Sequence, residues 1–384
     1  MIASDESLAL CATCGSVAVE ALFLPFPLVR HMDFAPFDPG TGGPFHCRNC
    51  HMINIGQSGG AVAEINAVHQ SREYATIKKT EHLQFLEEFD GPVTPYVLEA
   101  EILAPFLQTD SPSILDIGCF DGKLLRELGY RFPAAELHGF DVSLHIETVF
   151  PKGDRFRFWC ADLTAIGRRF DLISSVNSLV YVRDGHDFMA NVRRLLEPDG
   201  MVFIMVCDAE ANPLHLLCGD QYLHFTPKSL GNFLATFGFT AEILDQRTWF
   251  PRSIVAIVRP DPHAGGPPEY VEDDAVPRIM NHLADMKAAL EQMSRQLADG
   301  SLCRPLAVLG TTHNAAATHS VLGDSIDLFV DENESRVGQA FYGKPVRHPR
   351  ELEDDTTVIL PYGTTAPAIQ ERFARLYKGT FVCL

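Results

Sequence analysis

Four cysteines fall into two C-x-x-C pairs, Cys11 with Cys14 and Cys47 with Cys50, with 32 residues between the pairs. Four thiolates at that spacing suit one tetrahedral zinc ion, and a full set of four leaves no open position, so the expected role is structural. The neighbouring His46 and His51 are expected outside the coordination sphere or at the surface. A second set of residues combines acids with glycines. Asp116 runs into Gly118 and Gly122, with Cys119 and Phe120 between them, and Asp141 and Asp162 follow at the ends of later apolar runs. Glycine serves where the backbone takes positive φ or a ligand comes close. Acids at successive strand ends are costly to bury without a purpose. A carboxylate in the position of Asp141 can accept hydrogen bonds from a ribose diol, and one in the position of Asp162 can take the exocyclic amine of an adenine. With Val142 and Leu163 beside them, these residues point to an adenosine-bearing ligand. Cys119 and Cys160 read as small apolar fillers next to it.

Such side chains need a sheet to hold them. Ser113–Ile117, Glu136–Val142, Phe156–Trp159, Phe170–Ser174, Gly200–Val206 and Ser253–Val258 read as strands, with helical patterns between most of them. The fold class is therefore α/β, a doubly wound and mostly parallel sheet, whose ligands bind outside the carboxyl ends of the strands where the strand order reverses. Four consecutive parts are expected. Residues 1–70 form the zinc-binding segment, and residues 71–260 form this α/β domain with a helical lead-in over Glu81–Phe89 and Val97–Leu107. Residues 261–300 hold a Pro/Gly-rich linker and a helix from about Asp273 to Ala298. In that helix Met280, Leu283, Met286, Leu290, Met293 and Leu297 make a packing stripe or a dimer face. Residues 301–384 restart the pattern as a smaller Rossmann-like unit, with strands at Pro305–Leu309, Ile326–Val330 and Thr357–Leu360 and helices near Ala315–Leu322 and Ala366–Tyr377.

Composition narrows the function classes. The hydrophobic content of 46% over 384 residues is enough for real cores. A formal net charge of −19 argues against nucleic acid as the main partner, while leaving room for a small anionic substrate in a local pocket. No run reaches the roughly 18 apolar residues of a membrane span. Asp5 and Glu6 stand where a signal peptide would carry basic residues, so a cytoplasmic protein is expected. The six cysteines outside the C-x-x-C pairs lie among apolar residues and read as reduced thiols. A monomer and a homodimer are both compatible with the sequence.

Residues 113–258 resemble the class I S-adenosylmethionine-dependent methyltransferases. Asp116, Gly118, Phe120 and Gly122 are similar to that family's Asp-x-Gly-x-Gly-x-Gly pattern, with Phe120 replacing the middle glycine. Leu196-Glu197-Pro198-Asp199-Gly200 is similar to its sixth-strand lead-in. The resemblance implies Gly118 and Gly122 around the methionine part of S-adenosylmethionine, Asp141 on the ribose and Asp162 on the adenine. The whole chain resembles the three-part sugar C-methyltransferases, which join a four-cysteine zinc segment, a methyltransferase and a Rossmann-like tail. Asp331-Glu332-Asn333-Glu334-Ser335-Arg336-Val337-Gly338 and Gly343-Lys344-Pro345-Val346 are similar to tail motifs of that group.

C-methylation beside a ketone needs a base for the α-proton and a donor for the enolate. Two positions depart from the group here. Tyr181, in Asn177-Ser178-Leu179-Val180-Tyr181, stands where the group's Asn-Thr-Leu-x-His motif has histidine. Gln221, in Cys218-Gly219-Asp220-Gln221, stands where Tyr-x-Glu-His has it. The candidates for the chemistry are Tyr181 and His224, supported by Asn177, Asp220 and Tyr222, with Asn177 also near the donor. His145 is expected to pack near the cofactor. The acceptor atom stays open, because O- or N-methylation needs only alignment and one proton acceptor. A sugar or sugar nucleotide is the expected substrate, and Arg336, Lys344 and Arg347 could meet its diphosphate. Two further readings stand beside this one. They are nucleotide-dependent redox on the tail, where Gly310-Thr311-Thr312-His313-Asn314 lacks a glycine fingerprint, and a non-enzymatic zinc protein that keeps an adenosyl ligand as structure.

Overall fold

The computed structural model describes residues 10–76, 86, 88–90, 93–246, 248–263, 266–302 and 304–384. Most of the helix expected over Glu81–Phe89 lies outside the described residues. Chain compactness gives two interleaved units where the sequence suggested four consecutive parts. The first comprises Met1–Ala21, Gly40–Cys207 and Tyr222–Asp273, and the second comprises Leu22–Pro39, Asp208–Gln221 and Asp274–Leu384.

The first unit opens with three short strands, β1 (Val19–Ala21), β2 (Gly43–Cys47) and β3 (Ile53–Gly56). Helix α1 (Gly59–His69) starts at Ser58, whose side chain accepts from the Ala61 amide, and α2 (Arg72–Thr76) and α3 (Pro95–Leu103) follow. Strand β4 (Ser113–Ile117), α4 (Lys123–Arg131), β5 (Glu136–Asp141), β6 (Phe156–Cys160), β7 (Phe170–Val176), α5 (Gly185–Leu195) and β8 (Leu196–Cys207) make the alternating core. The unit closes with β9 (Leu223–His224), α6 (Pro227–Thr236), β10 (Phe239–Leu244) and β11 (Ser253–Pro260). A reciprocal cap between Thr226 and Ser229, with Pro227 in the first turn, fixes where α6 begins.

Seven strands run in the order β10-β11-β8-β7-β4-β5-β6, with β4 to β8 parallel and β11 and β10 antiparallel at one edge. All six strands expected from the sequence are present, and β10 is added. The sheet is buried on both faces, which its alternation explains. Leu115 and Ile117 join one apolar layer with Ile173, Val202 and Ile204, whereas Ile114 joins the other with Leu137, Leu172 and Phe203. Cutting the wholly buried Leu115 to alanine would cost on the order of 2–5 kcal/mol. Strand β4 lies between β7 and β5, so the order reverses there. A separate antiparallel sheet, β1-β2-β3-β9, pairs Ile53 with His224, a register that local sequence does not announce.

The second unit contains α7 (Ala275–Asp299), β12 (Leu306–Leu309), α8 (His313–Leu322), β13 (Leu328–Val330), β14 (Ala340–Phe341), β15 (Lys344–Arg347), β16 (Thr357–Leu360), α9 (Ala366–Leu376) and β17 (Thr380–Cys383). Its six strands run β14-β15-β13-β12-β16-β17, parallel except for β14. The stripe on α7 is buried at Leu283, Met286, Leu290 and Met293, and the helix ends at Gly300 with φ +78°. Among the described residues no helix is long and apolar enough to cross a membrane, and no disulfide is present.

Candidate functional site

At the end of β4 the chain makes a bend in which positive φ recurs at every second residue: Gly118 (+79°), Phe120 (+44°) and Gly122 (+67°). The amides of Gly118 and Cys119 both donate to the Phe140 carbonyl, at 2.8 and 3.1 Å, which ties the bend to β5. There is no room for a side chain at Gly118, since a Cβ would sit 2.4 Å from that of Ser178. Phe120 holds a left-handed conformation that costs a non-glycine residue about 1–2 kcal/mol. Its ring is buried and meets Tyr74 edge-on at 5.4 Å, and that packing offsets the strain. Cys119 is buried against Gly139, as expected of a filler.

The acids sit at neighbouring strand ends. Asp116, buried inside β4, accepts from the Ser174 hydroxyl at 2.8 Å. Asp141 ends β5, and its carboxylate is held at both oxygens: the Phe120 amide donates to Oδ2 at 3.3 Å and the Ser143 amide to Oδ1 at 3.0 Å. The glycine bend and the second acid are thereby one construction. Val142, next to it, is exposed. Asp162 is exposed beyond β6 and accepts from the Thr164 amide at 2.8 Å, which holds its carboxyl below the usual range. Asp162 and Leu163 line an open cleft of about 240 Å³ together with Phe140, Val182, Phe188 and Asn191. Asn177, just after β7, takes φ +54° and donates its amide to Met205.

A line of rings runs away from the bend. Tyr74 meets His69 at 5.3 Å, and His69 meets Tyr181 at 4.9 Å. The His69 Nδ1 lies 3.0 Å from the Ile65 carbonyl. A carbonyl only accepts, so Nδ1 carries a hydrogen. Burial first, and then the charge of Asp141, drives the Tyr74 phenol far above its ordinary value. Sequence reasoning missed His69 and Tyr74. Apart from the histidine in the last turn of α1, no local signal marks them.

Residues 94–243 match the methyltransferase-domain family. Solved structures with a similar arrangement include CalO1, a methyltransferase of calicheamicin biosynthesis (14% identity, TM-score 0.35), which covers 43% of this chain. The match spans only 54% of CalO1 itself. The plantazolicin methyltransferase BpumL (17%, TM-score 0.36) covers 43% of this chain and 82% of its own. The CcbJ methyltransferase from Streptomyces caelestis (15%, TM-score 0.36) covers 46% and 94%. No curated protein matches the chain.

The remaining candidates fall as follows. Tyr222 donates its amide to the Val180 carbonyl and accepts the Ile55 amide, so its backbone joins the turn that carries Tyr181 to β3. His224 is buried on β9 at 1% exposure, opposite Ile53. Asp220 belongs to the second unit, where its carboxylate accepts the His31 amide at 2.8 Å and burial pushes its pKa up to about 7. His145 is half-buried, in the short turn after Asp141.

The four cysteine sulfurs of the first unit lie within 4.8 Å of one another, with Cys11–Cys50 at 3.5 Å and Cys14–Cys47 at 3.6 Å. Zn–S bonds of about 2.3 Å give a tetrahedral edge of about 3.8 Å, so the donor set fits a zinc ion with little movement. The Asn232 amide donates to the Cys50 carbonyl, and His51, which is buried, pairs with Glu272 at 3.3 Å. In the second unit a Cβ on Gly310 would lie 2.3 Å from the Tyr362 hydroxyl, so the turn where a dinucleotide phosphate would approach is already filled. Lys344 pairs with Asp324 at 3.2 Å.

Proposed function

We propose that this protein is an S-adenosylmethionine-dependent methyltransferase that alkylates a small biosynthetic intermediate, a nucleotide-linked sugar by preference, with a structural zinc ion on Cys11, Cys14, Cys47 and Cys50. The observation that carries the donor site is the carboxylate of Asp141, oriented by the amides of the glycine bend and of Ser143. From there it can accept both hydroxyls of a ribose diol, while Asp162 faces the open cleft beside it. When bound, S-adenosylmethionine supplies an activated methyl on a sulfonium. The chain's own task is to align the acceptor and to take one proton. Tyr181 and His69 are the groups we assign to that proton. With Nδ1 engaged by the Ile65 carbonyl, the neutral form of His69 would offer Nε2 to a proton from the neighbouring phenol, which removes the need for a tyrosine of strongly lowered pKa. Asn177, at the end of β7, then steadies the acceptor.

Carbon as the acceptor follows from the resemblance to three-part sugar C-methyltransferases, with the six-stranded sheet as the Rossmann-like tail. Oxygen or nitrogen is the second reading, and it is favoured by the loss of histidine at both Tyr181 and Gln221. One experiment separates them: incubation with methyl-labelled S-adenosylmethionine and a panel of keto-sugar nucleotides in deuterated water. Methylation at carbon replaces an α-hydrogen of the acceptor by methyl, and methylation at oxygen or nitrogen leaves that hydrogen in place. No label transfer to any sugar nucleotide would remove the substrate proposal.

A further inference from the structure

Two histidines and a cysteine of the second unit take no part in the chemistry above. His215 and Cys218 close a short helical turn, in which the Cys218 amide donates to the His215 carbonyl at 3.0 Å. Three-residue spacing puts both side chains on one side of the turn, with Sγ 3.8 Å from Nδ1 of His215. His313, nearly 100 residues further along, arrives from the first turn of α8. The three donor atoms lie within 4.8 Å of one another and the residues are 6, 0 and 9% exposed. We propose that His215, Cys218 and His313 bind one divalent d-block cation of the zinc class, at a site separate from the four cysteines.

The chemistry fits on several counts. A zinc ion with bonds of about 2.0–2.3 Å to nitrogen and sulfur sets its donors about 3.4–3.8 Å apart, so this cluster needs a contraction of about 1.4 Å at most. One thiolate with two imidazoles selects zinc, cobalt or nickel over the hard ions magnesium and calcium. The Asn212 amide stands 3.3 Å from Nε2 of His313, the kind of outer contact that fixes a ligand ring. His31 packs edge-on against His215 with centroids 6.0 Å apart, which walls the cluster without adding a fourth donor. Three protein ligands leave one position for water or an incoming group, unlike the closed set of four thiolates.

Cobalt titration of the full chain after chelation tests this. Wild type is expected to take up one more equivalent than Cys218→Ser or His313→Gln, each first checked for an unchanged circular-dichroism spectrum. In wild type alone, the visible spectrum should resolve into a four-sulfur component and a mixed nitrogen–sulfur component. Failure of the four-cysteine cluster to load lowers every total equally and leaves the one-equivalent difference intact. Equal uptake by wild type and both variants, or a wild-type spectrum with no mixed component, overturns the proposal.

Discussion

Replacing Asp141 with alanine strikes the protein and its ligand together, and the two effects can be measured apart. Within the protein the carboxylate satisfies the buried amides of Phe120 and Ser143. An amide left without an acceptor costs about 1–3 kcal/mol, so the variant should melt measurably earlier. Toward the donor, hydrogen bonds from a ribose diol to a charged acceptor contribute about 1.5–3 kcal/mol. At 1.4 kcal/mol per decade that is a rise of about 10- to 150-fold in the Kd for S-adenosylhomocysteine. Calorimetric titration reads the second quantity and a thermal melt the first. Asp141→Asn keeps one acceptor oxygen but loses the charge. It should recover part of the melting temperature and little of the affinity. A folded Asp141→Ala protein that binds S-adenosylhomocysteine as wild type does would refute the assignment of the ribose to this carboxylate.

Gly118→Ala should lower both stability and S-adenosylhomocysteine affinity, because a Cβ would sit 2.4 Å from Ser178 Cβ on a backbone at φ +79°. A melt and a titration like those of wild type would show that the bend tolerates bulk. His138 is buried, accepts from Trp159 at 3.0 Å, and burial holds its pKa down at about 4. Its unfolded value lies near 6.5, so as pH falls from there towards 4 the unfolded chain takes the proton first and the fold loses up to about 3 kcal/mol. Urea unfolding at pH 7.5 and 4.5 should therefore show a larger acid loss in wild type than in His138→Gln. Tyr181→Phe and His69→Gln should each lower turnover by about 100-fold or more, as for loss of an acid–base group, while the Kd for S-adenosylhomocysteine stays within about twofold. Unchanged turnover in both removes the proposed proton path.

The strand, glycine bend and strand-end acids were legible because their signals are local. An apolar run, an acid and a glycine bend lie within ten residues at Ile114–Lys123, and the next acids follow their own strands. Phe120 shows the limit of motif matching: its side chain departs from the glycine pattern, yet its backbone adopts the left-handed turn that the pattern encodes. The surroundings of Tyr181 and His224 were much less legible, because they depend on pairings between distant segments. β3 meets β9 across some 170 residues, and His69 reaches Tyr181 from a helix that carries no motif. Asp220 and Tyr222 lie two positions apart in sequence but fall in different compact units, which no reading of consecutive segments could separate.

That interleaving bears on how the molecule can be cut. A protease nick in the Pro/Gly-rich stretch at 261–270 would split the backbone ahead of α7. The upstream fragment would still hold Leu22–Pro39 and Asp208–Gln221, both parts of the unit completed by the downstream fragment. The two pieces are therefore expected to copurify after cleavage. For the same reason a chimera made by one crossover at that linker would replace only part of a folded body, so exchanging acceptor preference between relatives calls for several junctions.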